Sequence, residues 1–166
     1  GWHWIVVEDA AKKKALADIY RANWAIYATL PGGRPTGDSR DEQMPRVRDS
    51  ATFLSENFER APMLMIPCIE GRIENVDVAT GAGAWGSLLP AVWSFMLALR
   101  SRGLGTAWTT IHLFQEKPIS ELLGIPDDWT QTVLFPVAYY TGDDFKPAHR
   151  LPSDTMTHWD SWGTHR

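Results

Sequence analysis

The sequence offers little thiol or metal chemistry. Cys68 is the one cysteine among 166 residues, which excludes an intrachain disulfide framework and the usual cysteine-based zinc site. The five histidines form no H-x-x-x-H pair and have no carboxylate at metal-ligand spacing, and no G-x-S-x-G elbow is present. Cys68 stands inside an apolar run, which favours a buried structural thiol over a nucleophile. The chain therefore lacks acid–base machinery of its own, which favours a bound cofactor for any chemistry it performs.

An excess of positive charge is also missing. The 16 basic and 20 acidic side chains give a net charge of −4, whereas a nucleic-acid-binding protein normally presents a basic face. No basic region precedes the first apolar run, so we predict no secretory signal and expect a cytoplasmic protein. The uncharged stretch 78–99 is long enough to span a bilayer, but its first half is rich in glycine, serine and threonine. We predict that it is a buried helix of a soluble protein, with no membrane or nucleic-acid partner.

Tryptophan, by contrast, is abundant. The chain has nine Trp and is 44% hydrophobic, and its length fits one domain over residues 1–166. So many indoles in a small domain must be buried in the core, against a planar ligand or in the surface of a partner.

The most informative element is a helix predicted over 85–102. Its apolar residues cover nearly the whole circumference: Leu88, Leu89, Val92, Trp93, Phe95, Met96, Leu97 and Leu99. A helix that is apolar on every side has to be buried on every side, and one small domain rarely encloses such a helix. We therefore expect a second subunit against it, in a homodimer.

The order of predicted elements indicates the fold class. Strands are predicted over 3–7, 63–69, 106–111 and 133–140. Helices are predicted over 46–59, 85–102 and 118–123 and from Asp9, whose carboxylate suits the N-cap. The run 63–69 is apolar on both faces and is expected to be a central strand. The order predicts an α+β fold, a three-layer α/β/α sandwich around a mixed sheet of about four strands.

The last stretch, 143–166, is unusually aromatic for a terminus. It carries Phe145, Leu151, Met156, Trp159 and Trp162 among polar residues. Two interpretations are open: a strap across its own domain, or an arm that lies on the partner subunit.

One glycine motif is misleading. The letters GAGAWG at 81–86 match G-x-G-x-x-G, but ten residues separate them from the preceding predicted strand. No acidic residue follows about 20 positions on to bind a ribose. We predict that these glycines allow close packing at the start of the helix and do not bind a dinucleotide.

Several segments together resemble one family, the FMN-dependent nitroreductases, and most closely its actinobacterial branch. The letters RSRGLGTAWTT (100–110) resemble the family's "GLG" turn and following strand. LLGIP (122–126) with LFPVAY (134–139) resembles its "LGIP … LPIGY" passage, and KPAHRLP (146–152) resembles its "KxRxP" segment. GWHWIVV (1–7) resembles the strand after its "PSGxNxQPW" motif.

The resemblance implies a homodimer that binds FMN at the subunit interface, is reduced by NAD(P)H and is reoxidised by small flat aromatic acceptors such as nitroarenes or quinones. It places Trp108 and the backbone of Thr109, Thr110 and Ile111 at the flavin, with Thr109 and Thr110 at the catalytic N5 edge. It also implies contacts from Arg150 and Lys146 to the phosphate or ribityl chain, where an arginine fork suits a phosphate dianion. Two plainer roles stay open: Arg150 as a surface cation tied to a nearby acid, and Thr110 as an ordinary strand threonine.

One departure from the family pattern concerns the phosphate site. The family's "RSxRxF" and "PSGxN" segments lie upstream of the Trp-His-Trp strand, and this sequence begins just after their positions. We therefore expect a chain with this beginning to lack about half of the FMN contacts and to bind flavin poorly. The alternative function is a non-catalytic flavin-binding or dimerisation module derived from the same family.

Overall fold

The computed structural model describes residues 1–30, 36–38, 40–142, 145 and 147–166. Its helices and strands are, in chain order, β1 (Trp2–Val7), α1 (Ala10–Tyr27), α2 (Met44–Asn57), β2 (Met63–Glu70), α3 (Val78–Arg100), β3 (Leu104–Thr106), α4 (Glu116–Leu123), β4 (Trp129–Gln131) and β5 (Phe135–Tyr139). Short 3-10 helices cover Asp41–Gln43, Phe58–Arg60, Ile111–Gln115 and Ser153–Met156.

The strands form one sheet in the order β1-β2-β5-β3, with β4 also paired to β2. Strand β2 is buried over residues 64–69, which confirms its predicted central position. Every pairing between the described strands is antiparallel, so the prediction of a mixed sheet is wrong, whereas the five strands lie close to the predicted number of about four. The additional strand, β4, has only three residues, two of them polar, and gives no periodic signal in the sequence.

A β-bulge lies opposite Pro67 in the middle of β2. Met65 pairs with Phe135 and Cys68 pairs with Gln131. Three residue steps along β2 therefore lie opposite four residue steps along the chain from β4 to β5. Proline has no N–H to give to a ladder, and inside a sheet it is found mainly at such bulges. The Pro67 carbonyl instead accepts from both the backbone N–H (3.1 Å) and the hydroxyl (2.8 Å) of Thr132.

Two layers of helices cover the sheet, which confirms the three-layer sandwich. Alternate side chains of a strand face opposite sides of a sheet. Leu64 and Ile66 accordingly join a cluster with Leu16 and Tyr20 of α1. The next cluster, on the other face, joins Met65 of β2 and Phe135 of β5 to Leu88 and Val92 of α3. Cys68 is buried as predicted, and burial raises the pKa of its thiol to about 12.

Carboxylate caps fix the starts of the two longest helices. The Asp9 carboxylate accepts from the Lys12 backbone N–H at 2.8 Å, as predicted for the N-cap of α1. Asp77 caps α3 by accepting from the N–H groups of Ala79 and Thr80. Because of this cap, α3 begins at Val78 and not at residue 85.

The glycines at 81–86 therefore lie inside α3. Outside the helix's own backbone, a Cβ at Gly83 or Gly86 would meet no described atom within 4 Å, and one at Gly81 would make ordinary contacts with Val76 (3.6 Å) and Ile73 (3.9 Å), so in the described part of the chain the predicted close packing is not found at Gly83 or Gly86 and is not required at Gly81. Residues 81–86 form regular helix and not the tight glycine turn that a dinucleotide-binding motif would need.

Within one chain, α3 buries only one of its faces. Leu88, Val92 and Leu99 are buried, whereas Trp93 is 56% and Leu97 55% exposed. The expected burial on every side is thus not achieved by the described residues of a single copy. By length and composition alone, α3 is long and apolar enough to cross a membrane.

The chain leaves the sheet earlier than predicted after α3. Strand β3 ends at Thr106, and residues 111–115 form a 3-10 helix, so the strand predicted over 106–111 is wrong. Only Thr109 returns to the sheet, in an isolated bridge to Leu134. Ile111 instead packs against the core cluster that contains Leu16 and Tyr20 of α1.

Candidate functional site

The segment between β3 and α4 carries the residues predicted to lie at the flavin ring, Trp108–Ile111. This segment is attached to the sheet at Thr109. The Thr109 carbonyl accepts from the Leu134 backbone N–H at 2.9 Å, and the Thr109 hydroxyl donates to the Leu134 carbonyl at 2.8 Å. Thr109 is buried. Its hydroxyl is therefore hydrogen-bonded within the protein, and Thr109 attaches the segment to the sheet through Leu134.

Helix α1 holds the same segment from the other side. The buried Asn23 side chain donates to the Ile111 carbonyl at 3.0 Å and accepts from the Gln115 side-chain amide at 2.8 Å. Tyr20, one turn earlier, is also buried. Burial raises the pKa of the Tyr20 phenol, and the adjacent Thr109 hydroxyl opposes that rise.

The two anchors leave an aromatic and polar edge exposed. Trp108 is 40% exposed, with its ring edge-on to Phe135 at a centroid distance of 6.0 Å. Thr110 is exposed, and Phe114 is also accessible. Thr110 precedes the first residue of the 3-10 helix, so its interpretation as an ordinary strand threonine is wrong. This edge has the aromatic surface and the fixed backbone that a planar ring system requires.

The predicted phosphate ligands lie on a separate segment. Arg150 is exposed, and its guanidinium donates to the His149 carbonyl at 2.9 Å. The His149 backbone N–H donates to the Gln43 side chain at 3.2 Å, which ties this segment to the start of α2. Among the described residues, no hydrogen bond joins Arg150 to the consecutive residues Trp108–Ile111. Lys146 lies outside the described residues.

A cavity of about 390 Å³ at the end of β4 is a competing candidate. The guanidinium of Arg72 lies in its polar wall and donates four hydrogen bonds: to both carboxylate oxygens of Glu116 (2.9 and 2.8 Å), to the Trp129 carbonyl (2.8 Å) and to Glu74 (2.8 Å), with an additional ion-pair contact to Glu74 at 2.7 Å. Gln131 donates to the Glu116 carbonyl at 3.0 Å and to Ser120 at 2.9 Å. This network fixes the start of α4 against β4, and its donors are not available to a ligand.

Sequence reasoning missed Asn23, Gln115 and His112 as parts of the site. A signal existed for Asn23, because it follows Leu16, Ile19 and Tyr20 at helical spacing and is a polar residue on the buried stripe of α1. His112 and Gln115 gave no signal, since their role depends on the 3-10 helix.

His112 is the one titratable side chain buried within this segment. Neither of its ring nitrogens has a hydrogen-bond partner in the described structure, and burial lowers the pKa of the imidazole from 6.5 to about 3. The ring is therefore neutral at physiological pH and acts as part of the packing between the segment and α1.

Solved structures with the same fold include several flavoproteins. An oxidized iodotyrosine deiodinase bound to FMN and 3-iodo-L-tyrosine matches with a TM-score of 0.66 at 22% identity, over 98% of this chain and 76% of that chain. A BluB-like flavoprotein from Clostridium difficile 630 matches with a TM-score of 0.63 at 14% identity, over 96% of this chain and 80% of that chain. The FMN and NADPH-dependent nitroreductase NfnB from sphigopyxis sp. strain HMH matches with a TM-score of 0.61 at 18% identity, over 97% and 80%.

These likenesses define the class by fold alone: a nitroreductase-like α+β sandwich. The family follows from the sequence, because a model of the Nitroreductase family matches residues 1–139. The chain belongs to the Nitroreductase family. This confirms the family that its motifs resemble, while the actinobacterial branch stays a prediction.

The buried His112 predicts an acid-sensitive fold. The unfolded chain takes up a proton on this ring below pH 6.5, whereas the folded chain does not until about pH 3. Stability is therefore lost as pH falls through this window. Between pH 7.5 and 5, the wild-type free energy of unfolding should fall by about 2 kcal/mol more than that of His112→Phe.

Urea unfolding of both proteins at the two pH values measures this difference, and the carboxylates common to both cancel in it. Equal losses in the two proteins would show that His112 is not held neutral by burial.

Proposed function

We propose that the protein is an FMN-dependent oxidoreductase that passes hydride from NAD(P)H to small flat aromatic acceptors such as nitroaromatics or quinones. The observation that carries this proposal is the exposed Trp108–Thr110 edge, fixed by Thr109 to the sheet and by Ile111 to α1, in a member of the Nitroreductase family. The FMN named for two of the similar structures supports the choice of flavin.

The residues present fit the ring end of FMN. Trp108 offers an aromatic surface, and Thr110 offers an exposed hydroxyl on a backbone that is held in place, since its carbonyl accepts from the Leu113 N–H at 3.0 Å. Arg150, and with it Lys146, would hold the phosphate, because an exposed guanidinium fork suits a dianion. Bound FMN would supply hydride transfer at N5. The chain's own contribution is to orient the ring and to exclude water from one of its edges.

A second copy of the chain would complete the site. Helix α3 leaves Trp93 and Leu97 exposed on a helix whose other face forms the core, and the C-terminal segment leaves Trp162 90% exposed. Apolar surface of this kind is typical of an obligate interface. We propose a soluble cytoplasmic homodimer in which α3 pairs with its copy and the 143–166 arm lies on the partner subunit.

Flavin titration tests the proposed activity. FMN added to the purified chain should give a bound-flavin absorption band that NADH or NADPH bleaches and a quinone restores. A band that forms but is not bleached by either nicotinamide would favour the non-catalytic flavin-binding module. No band at millimolar FMN would contradict both.

The proposed dimer predicts a solution mass of twice 18.7 kDa. Light scattering at micromolar concentration should give this mass, with more than ~2,000 Å² buried between the subunits. The variant Leu97→Glu places a charge in the exposed apolar face of α3 and should shift the mass toward the monomer. Ala11→Glu adds the same single negative charge at an exposed position in the first turn of α1 and should leave the mass unaltered. A wild-type monomer would contradict the assignment of α3 to an interface.

Arg150→Ala separates the phosphate end of the site from the ring end. Loss of a charge-assisted contact should weaken FMN binding by roughly 1.5–3 kcal/mol, about 10- to 150-fold. Riboflavin has the same ring without the phosphate, so its affinity should not change. Arg102→Ala removes another exposed arginine, which donates to the Ala98 carbonyl of α3, and serves as the control. Unchanged FMN affinity in Arg150→Ala would remove this residue from the phosphate site.

A further inference from the structure

We infer that Asn23 of α1 is a positioning residue for the flavin-facing edge, which it holds through the Ile111 carbonyl. This inference rests on the proposed function, since it concerns the same edge. It assigns a role to a helix that carries none of the residues expected to touch the cofactor.

The first step of the argument is the placement of Asn23. Its side chain is 1% exposed, on the stripe of α1 that otherwise packs Leu16 and Tyr20 into the core. A buried amide is unfavourable unless it is hydrogen-bonded, whereas a leucine would fill the same stripe without polar partners. The amide is therefore explained by its bonds and not by core packing.

Those bonds reach both ends of the 3-10 helix. The Asn23 Nδ2 donates to the carbonyl of Ile111, the first residue of the helix, at 3.0 Å. The Asn23 Oδ1 accepts from Nε2 of Gln115, the last residue of the helix, at 2.8 Å. One side chain thus fixes the whole turn against α1.

The second step concerns Thr110, which lies between two anchored neighbours. Thr109 is bonded to Leu134 of the sheet through both its hydroxyl and its carbonyl, and Ile111 is bonded to Asn23. Thr110 is an exposed residue held on both sides by these anchors, and its own carbonyl accepts from the Leu113 N–H at 3.0 Å. Groups that bind a reacting ring need placement to within about 0.5 Å, which such flanking bonds provide.

The third step is that each anchor includes a backbone carbonyl of the segment. Asn23 binds the Ile111 carbonyl, and Leu134 binds the Thr109 carbonyl and hydroxyl. Loss of the Asn23 amide would therefore loosen the backbone at Ile111 without changing the chemical nature of the side chains at the exposed edge.

The experiment compares Asn23→Leu with Ser55→Ala. Ser55 is equally buried, and its hydroxyl donates to the Thr52 carbonyl within α2, so its variant removes a buried hydrogen bond remote from the edge. Two quantities are measured on the full chain: amide hydrogen exchange without flavin, and the affinities for FMN and riboflavin.

In Asn23→Leu, exchange over residues 109–113 should accelerate at least tenfold relative to the strands of the sheet. The affinities for FMN and riboflavin should fall by the same factor, about tenfold, because the loss is at the ring end that both share. Ser55→Ala should change neither quantity by more than twofold. If Asn23→Leu does not fold, Gln115→Leu removes the support of the Asn23 Oδ1 and should give the same pattern with a smaller amplitude.

Three outcomes would overturn the inference. The first is unchanged flavin affinity in both Asn23→Leu and Gln115→Leu when the unmodified chain binds FMN; this contradicts the role of Asn23 and leaves the proposed function intact. The second is exchange that accelerates equally throughout the chain, which would make Asn23 a general stability residue. The third is an unmodified chain that binds neither flavin, which contradicts the proposed function and the role of Asn23 with it.

Discussion

Pro67 imposes the constraint on which the candidate site depends. In an antiparallel strand the N–H and C=O of one residue point to the same side, and the Pro67 carbonyl faces the chain that runs from β4 to β5. A proline there has no N–H to give to that chain. The chain opposite β2 has one additional residue between Gln131 and Phe135, and Thr132 of this stretch bonds to the Pro67 carbonyl.

The bulge has a direct effect on the exposed edge. Leu134 lies within the stretch that separates β4 from β5, and its N–H and C=O both bond to Thr109. An unbroken strand over 129–139 would be expected to direct residues near Leu134 to β2 in the regular ladder. Pro67 in the central strand and the Thr109–Leu134 bonds that hold the exposed edge therefore belong to one hydrogen-bonded arrangement.

Much of the scaffold follows from local sequence signals. Asp9 is a good N-cap before an amphipathic helix, and the run 63–69 is apolar on both faces; both features are found where predicted. The failures come from elements whose form depends on distant partners. The 3-10 helix at Ile111–Gln115 has the apolar letters of a strand and is held by Asn23, which is 88 residues from Ile111. The antiparallel sheet also needs partners remote in sequence, which periodicity does not reveal.

The candidate site shows the same division. The motif letters at 100–110 locate the exposed edge in the sequence. The letters do not reveal that Thr109 is buried and Thr110 exposed, because that difference arises from the bridge between Thr109 and Leu134. Arg150 is recognisable by its segment, but its position relative to the edge depends on a long aromatic terminus without a helical or strand period.

The anchoring of the edge through backbone atoms has an evolutionary consequence. The bonds at Thr109 and Ile111 use carbonyl groups that every residue possesses, together with the Thr109 hydroxyl, whereas Trp108, Thr110 and Phe114 present side chains that take no part in them. Replacement of those three side chains would alter the surface offered to an acceptor without loosening the frame that presents it. Under the proposed function, such a scaffold would acquire new acceptor preferences by single substitutions, because the side chains that would meet an acceptor are separate from the bonds that hold the segment.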